Sequence, residues 1–177
     1  MQDRIVEIVS TAQRGDREAQ RQLYVEYHQQ VHRLMVRMVG VQEADDLTQQ
    51  VFLQVFRKLG QFTGQSRFGT WLYRVAINES LQHLRRSGRR QTRTLAEDPA
   101  DGRSHARDKL EQRELLDRAL ERLDPELRLI FLLRESEGWG YREIARTMKI
   151  PEGTVGSRLN RARRELRRYL EELGWEP

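Results

Sequence analysis

The chain has 177 residues, enough for one ordinary domain or two small ones, and its 32 Lys+Arg against 27 Asp+Glu leave a formal charge of +5. A charged fraction of 33% is high for a compact protein but lacks the extreme bias of a fully disordered one. The absence of cysteine excludes a disulfide framework, a thiolate metal site and a cysteine nucleophile, and no stretch approaches the roughly 20 apolar residues that span a bilayer.

A soluble, cytoplasmic protein without membrane insertion is therefore expected. Residues 1–90 carry 14 basic and 9 acidic side chains, 91–125 carry 7 and 9, and 126–177 carry 11 and 9, so the positive excess sits at the two ends. Nearly all the basic residues are arginine, whose fork suits phosphate oxygens and guanine edges. A polyanion partner fits this composition, and so does a solvated surface rich in ion pairs.

Apolar residues recur at helical spacing almost throughout and the alternation of a half-buried strand is absent, which predicts an all-α chain. A first short helix is expected over Ile5 to Ala12, stopping at Gly15. Asp16 then caps a long helix carrying Leu23, Tyr27, Val31, Leu34, Met35 and Met38 on one face, ended by Gly40. Asp45 or Asp46 is expected to start and cap a third helix, with a stripe of Leu47, Val51, Val55 and Leu59 widened by Phe52 and Phe56. Gly60 closes it, Phe62 to Phe68 reads as a loop, and a fourth helix runs from Gly69 or Thr70 to Arg86.

From Ser87 to Asp108 apolar content collapses while Gly, Pro, Ser, Asp and Arg accumulate, the composition of a linker. Periodicity resumes at Leu110 and continues through Leu115, Leu116, Ala119, Leu120 and Leu123 until Asp124-Pro125 terminates one helix and starts another. That next helix holds Leu127, Ile130, Phe131 and Leu133 and ends near Gly138. The expected organisation is two small helical domains, 1–90 and 110–177, joined by a flexible linker over 91–109.

Two short periodic segments follow, Tyr141, Ile144, Ala145, Met148 and then Val155, Leu159, Ala162, Leu166, separated by Lys149-Ile150-Pro151-Glu152-Gly153. Helices joined this tightly cross steeply, which requires a small residue at the crossing and a buried apolar residue in the turn. Ala145 and Ile150 supply them. The outward face of the second helix is read as Arg158, Arg161, Arg163, Arg164, Arg167 and Arg168 against Glu165 alone, a density that a duplex polyanion explains better than stability does. From Asp124 to Leu173 the chain reads as a helix-turn-helix that binds double-stranded DNA.

The string from Tyr141 to Arg163 resembles the C-terminal DNA-binding domain of the extracytoplasmic-function sigma factors of bacterial RNA polymerase. A second set of residues resembles that family's N-terminal domain in order and spacing: Gly15-Asp16, Ala44 to Phe52 (ADDLTQQVF), Phe62 to Phe68, and Thr70 to Asn78 (TWLYRVAIN). The resemblance implies a promoter-specificity subunit that binds core polymerase, recognises minus-35 and minus-10 elements and promotes strand opening.

By the same resemblance the helix from Asp45 to Leu59 docks on the clamp of the polymerase large subunit, with Asp46, Gln49, Gln50, Gln54 and Arg57 as its polar contact face. The loop with Phe62, Gly64, Ser66, Arg67 and Phe68 corresponds to a pocket for a base flipped out of the minus-10 element, and such capture costs a few kcal/mol that a shaped pocket must offset. Arg74 and Asn78 correspond to further minus-10 positions, and Arg85, Arg86, Arg89 and Arg90 suit phosphate contacts. Trp71 is a core anchor or a stacking platform.

For the minus-35 element the resemblance implicates Thr154, Ser157, Arg158, Asn160, Arg161 and Arg164. Gly156 stands where the family usually has Lys or Arg, and Asn160 occupies another family contact position. Either the promoter read differs, or Ser157, Arg158 and Arg161 carry the contacts. Many relatives are restrained by an anti-sigma factor, so that is a possible partner.

No enzyme, metal or cofactor is expected. His28 and His32 share the i, i+4 spacing of a zinc pair, but without a third ligand or an HExxH string they read as a surface pair. Asp45-Asp46 reads as capping rather than metal binding, because adjacent helical residues point about 100° apart. The other reading of the chain as a whole is a free-standing helix-turn-helix regulator whose N-terminal helices dimerise or sense a signal.

Overall fold

The computed structural model describes residues 2–87 and 105–175. Among the described residues the only extended regular elements are helices: α1 Gln2–Gln13, α2 Arg17–Val39, α3 Val41–Lys58, α4 Phe68–Ser87, α5 His105–Glu121, α6 Pro125–Glu135, α7 Tyr141–Met148 and α8 Glu152–Glu172, with one 3-10 turn at Leu59–Gln61. The chain divides into two compact units, Met1–His83 and Leu84–Pro177. Arg89, Arg90 and positions 91–104 of the expected linker lie outside the described residues. Positions 105–109 belong to α5; no large apolar residue precedes Leu110 there, so periodicity could not reveal the helix start.

In the first unit Asp16 caps α2, its Oδ1 accepting from the Ala19 amide at 2.7 Å. Of the expected stripe, Leu23, Val31, Leu34, Met35 and Met38 are buried at 2% exposure or less, while Tyr27 is half-buried. α3 corrects the sequence reading: it starts at Val41, not at Asp45 or Asp46, and neither aspartate caps it. Gly40, at φ 85°, both ends α2 and begins α3, a left-handed conformation open to glycine at little cost. One residue reverses the chain, so α3 packs back along α2 without needing an aspartate cap. Leu47, Val51, Phe52, Val55 and Leu59 are buried.

The histidine pair lies at the surface, but both members are engaged by α3. Both rings are half-buried: His28 stacks on Phe52 with centroids 6.3 Å apart, and His32 Nε2 lies 2.9 Å from Asp45 Oδ1. Asp45 thus joins α3 to α2. On the far side of α3, Glu43 pairs with His83 of α4.

In the second unit Asp124 caps α6 through Oδ1, which accepts from Glu126 N at 2.9 Å and Leu127 N at 3.4 Å, with Pro125 in the first turn. The core is Ala119, Leu120, Leu123, Leu127, Leu129, Ile130, Leu132 and Leu133 together with Ile144, Val155, Leu159 and Ala162. α7 ends in a left-handed cap at Lys149, φ 56°, whose amide and that of Ile150 both donate to the Ala145 carbonyl. Ala145 is buried as expected, whereas Ile150 is only half-buried: the two-amide cap, not a buried side chain, fixes the turn.

Arg128 is an unexpected member of this core at 5% exposure. Its guanidinium donates to the Glu121 and Leu123 carbonyls, covering the open C-terminal end of α5. Burial pushes its pKa down, while the Glu121 and Asp124 carboxylates act the other way.

Candidate nucleic-acid and partner-binding surfaces

α3 turns one face to the core and leaves Gln42, Asp46, Gln49, Gln50, Leu53 and Arg57 exposed on the other. Asp46, Gln49, Gln50 and Arg57 therefore fall where the sequence reading puts them, while Gln54 is half-buried at the margin. Leu53 was missed. It is 65% exposed in the middle of this polar face, and its signal was legible: an apolar residue set about half a turn from the buried stripe.

After α3 the 3-10 turn leads into the loop expected to form a pocket. Gln13 of α1 holds it, its side-chain amide donating to the Leu59 and Phe62 carbonyls, both at 2.9 Å. Gly64 has φ 75°, which gives the loop a turn that other residues adopt only with strain. Phe62, Phe68 and Trp71 form a triangle with centroid separations of 5.6, 5.4 and 5.8 Å, and Tyr27 meets Phe68 edge-on at 5.3 Å.

These rings do not share one environment. Phe68 is 4% exposed and is already the first residue of α4, not part of the loop; it supports the loop from within. Phe62, Ser66 and Trp71 are half-buried, and Gly64 and Arg67 are exposed. A groove of about 710 Å³ opens here, bounded by Val6, Val9, Gln13, Tyr27, Phe62, Gly64, Ser66 and Arg67 among others. Burial raises the Tyr27 pKa, with a smaller contribution from Glu26.

Along α4, Trp71, Arg74, Asn78 and Arg85 are spaced three, four and seven residues apart and so share one face. Asn78 and Arg85 are exposed, Trp71 and Arg74 half-buried. Arg86 is exposed in the last turn but off this line. Trp71 is half-buried rather than a full core anchor: its ring meets Phe62 and Phe68, and the residue lies on the same helix face as Arg74, Asn78 and Arg85.

α8 buries Val155, Leu159, Ala162 and Leu166 as expected. Its arginines do not form one free face. Arg158 and Arg163 leave on opposite flanks and both reach α6, Arg158 to Glu126 at 2.7 Å and Arg163 to Glu135 at 2.5 Å. Arg161 pairs with Glu165 at 2.7 Å, which raises its pKa, and Arg168 approaches Glu172 at 3.5 Å. The sequence reading counts Glu165 alone: Glu126 and Glu135 lie one helix away and cannot be read from α8 itself, whereas Glu172, four residues after Arg168, was legible there.

Opposite the buried stripe, Ser157, Asn160, Arg164 and Arg167, with Arg163 at the edge, line a shallow groove of about 590 Å³. Thr154 is half-buried on the flank, and its carbonyl accepts from Ser157 Oγ at 3.1 Å. Gly156 faces Tyr141, where an added Cβ would lie 3.5 Å from the ring. Tyr141 in turn has the Arg134 guanidinium 5.5 Å from its centroid.

Among the described residues no group of three His, Asp or Glu could hold a metal, and no helix is long and apolar enough to cross a membrane.

Comparison with known proteins places these surfaces in a family context. Residues 23–90 match the Sigma-70 region 2 model and residues 113–166 the Sigma-70 region 4 model. The chain is 37% identical to the RNA polymerase sigma-H factor of Pseudomonas aeruginosa over 97% of its own length and 96% of the relative's. It is 36% identical to the ECF RNA polymerase sigma-E factor of Haemophilus influenzae, covering 94% and 95%. Among solved structures it resembles CnrH in complex with the cytosolic domain of CnrY, with a TM-score of 0.68 at 22% identity over 93% of this chain and 96% of that one. It also resembles the sigma factor RpoE of Bartonella quintana, solved with the anti-sigma factor NepR, with a TM-score of 0.66 at 23% identity over 85% and 96%. At that identity the two structures speak to fold alone.

Proposed function

The chain belongs to the extracytoplasmic-function sigma factors of the sigma-70 family, and we infer from this membership how its two units divide the work of an alternative sigma factor. The observation that carries the reading is the end-to-end similarity to sigma-H, 97% of this chain against 96% of that one. A free-standing regulator would account for the helix-turn-helix and leave the region 2 match over residues 23–90 unexplained.

In this reading the N-terminal domain, residues 1–90, uses the exposed face of α3 to dock on the clamp of the polymerase large subunit. Asp46, Gln49, Gln50, Gln54 and Arg57 supply its polar contacts and Leu53 its apolar centre, the arrangement of a buried anchor within a polar ring. The loop from Phe62 to Arg67 receives an unstacked minus-10 base, with Phe62, Gly64, Ser66 and Arg67 at the mouth and Phe68 of α4 behind them. Arg74, Asn78, Arg85 and Arg86 track the separated strand and its phosphates.

The C-terminal domain, residues 110–177, lays the Ser157, Asn160, Arg164 and Arg167 face of α8 on the minus-35 duplex. Arg158 and Arg161 stand at its margins, partly neutralised by Glu126 and Glu165. A linker ahead of α5 lets both domains engage at once in this reading, so that modest separate affinities combine through effective concentration. Bond formation belongs to the polymerase; this subunit supplies recognition and opening in the cytoplasm. An anti-sigma factor is a fitting partner, since both structural relatives named above were solved with a bound protein.

The test is reconstitution. Added to core polymerase and a promoter template, the protein should direct a defined transcript; tight binding to promoter duplex alone, with no association with polymerase, would overturn the reading.

A further inference from the structure

We propose that Asn160 reads an adenine in the upstream promoter duplex, making one A·T pair of that element a requirement set by this side chain. The proposal rests on the assignment of α8 to the minus-35 duplex.

Removing the groups already engaged within the protein leaves few that can read a base. Arg158 is held by Glu126, Arg161 by Glu165 and Arg163 by Glu135. The Ser157 hydroxyl donates to the Thr154 carbonyl at 3.1 Å, which leaves it an acceptor only. Asn160, Arg164 and Arg167 remain on the groove-lining face. Asn160 is exposed, and it is the only side-chain amide on α8.

Position along the helix separates the three. The N-terminal part of a recognition helix enters the major groove, and the later turns rise toward the backbone. Asn160 lies in the third turn of a helix that begins at Glu152, whereas Arg164 and Arg167 follow one and two turns later. The two arginines therefore suit phosphates. An amide carries a donor and an acceptor at fixed spacing, which matches adenine N6 and N7 and no other base edge in the major groove as a bidentate pair.

The experiment uses holoenzyme reconstituted from core polymerase and the full chain, transcribing a promoter library randomised across the upstream element, with transcripts counted by sequencing. Wild type should require A·T at one position, disfavouring other pairs by about tenfold, the discrimination expected of one bidentate contact. Asn160→Ala should flatten the preference at that position alone, to within about twofold, and Asn160→Arg should move it to G·C, whose O6 and N7 suit a guanidinium. Transcription by wild type with an Asn160→Ala profile unchanged at every position overturns the proposal while leaving the promoter-specificity reading intact. No transcription from any library member overturns that reading, and this inference with it.

Discussion

Arg158 of α8 and Glu126 in the first turn of α6 meet at 2.7 Å, which ties the flank of the recognition helix to the helix behind it. Glu135 at the last residue of α6 does the same for Arg163 at 2.5 Å. α6 thus neutralises two arginines that would otherwise enlarge the positive field of α8. Glu126→Gln and Glu135→Gln together should free both guanidiniums for phosphate. The expected result is tighter binding to random duplex and a steeper fall of affinity with salt, by up to about two further units of log–log slope. Fluorescence anisotropy over a salt series measures this, and an unchanged slope would show that the two arginines stay away from DNA.

Arg164 and Arg167 should behave in the opposite sense. Both are exposed and, among the described residues, neither has a carboxylate partner. Replacing either with alanine should weaken duplex binding for all sequences alike and reduce the salt slope by about 1. A change in which promoters are chosen, rather than in how tightly all are bound, would contradict phosphate contact.

Leu53 calls for a partner-binding test. A leucine 65% exposed within a polar face adds little to stability, so Leu53→Asp should leave the melting temperature nearly unchanged. Burying that carboxylate against a partner without a counter-charge should weaken polymerase association by about tenfold or more. Competition for core polymerase against the wild-type chain reads the effect directly. Equal competition would remove α3 Leu53 from the interface.

What the sequence made legible was set by local signals. Asp16, Gly40 and Asp124-Pro125 were readable because a cap acts on residues within one turn of itself, and the stripes of α2 and α8 because burial imposes a helical period. The start of α3 was misread because Asp45-Asp46 mimics a cap, while a single left-handed glycine, Gly40, had already restarted the helix. Long-range pairings escaped for a different reason. His32–Asp45, Arg158–Glu126 and the Arg128 guanidinium over the end of α5 depend on which helices meet, and no spacing along one helix reports that.

Arg128 is the residue whose loss should be felt most in the second unit. Arg128→Met keeps much of the volume but leaves the Glu121 and Leu123 carbonyls without its donors. The expected cost is about 1–3 kcal/mol, the penalty of buried polar groups left unmade. Thermal unfolding should show the loss in region 4 with the region 2 unit unaffected, and a variant as stable as wild type would mean that water serves those carbonyls equally well.

Thr48 and Gly156 should each respond to substitution with a gain. Thr48 is 1% exposed and its hydroxyl has no hydrogen-bond partner among the described residues, so Thr48→Val replaces an unmet polar group with a methyl of similar size. The change should be neutral to stabilising by about 1 kcal/mol. At Gly156 the helix carries a residue about 1 kcal/mol less favourable than alanine, and the added Cβ would touch only Tyr141, at an ordinary 3.5 Å. Gly156→Ala should therefore raise the melting temperature of the second unit by a few degrees, with the base preference of the promoter library unaltered. A lower melting temperature would mean that Tyr141 cannot accept the methyl, and an altered base preference would mean that the bare backbone at this position is itself part of how the groove is read.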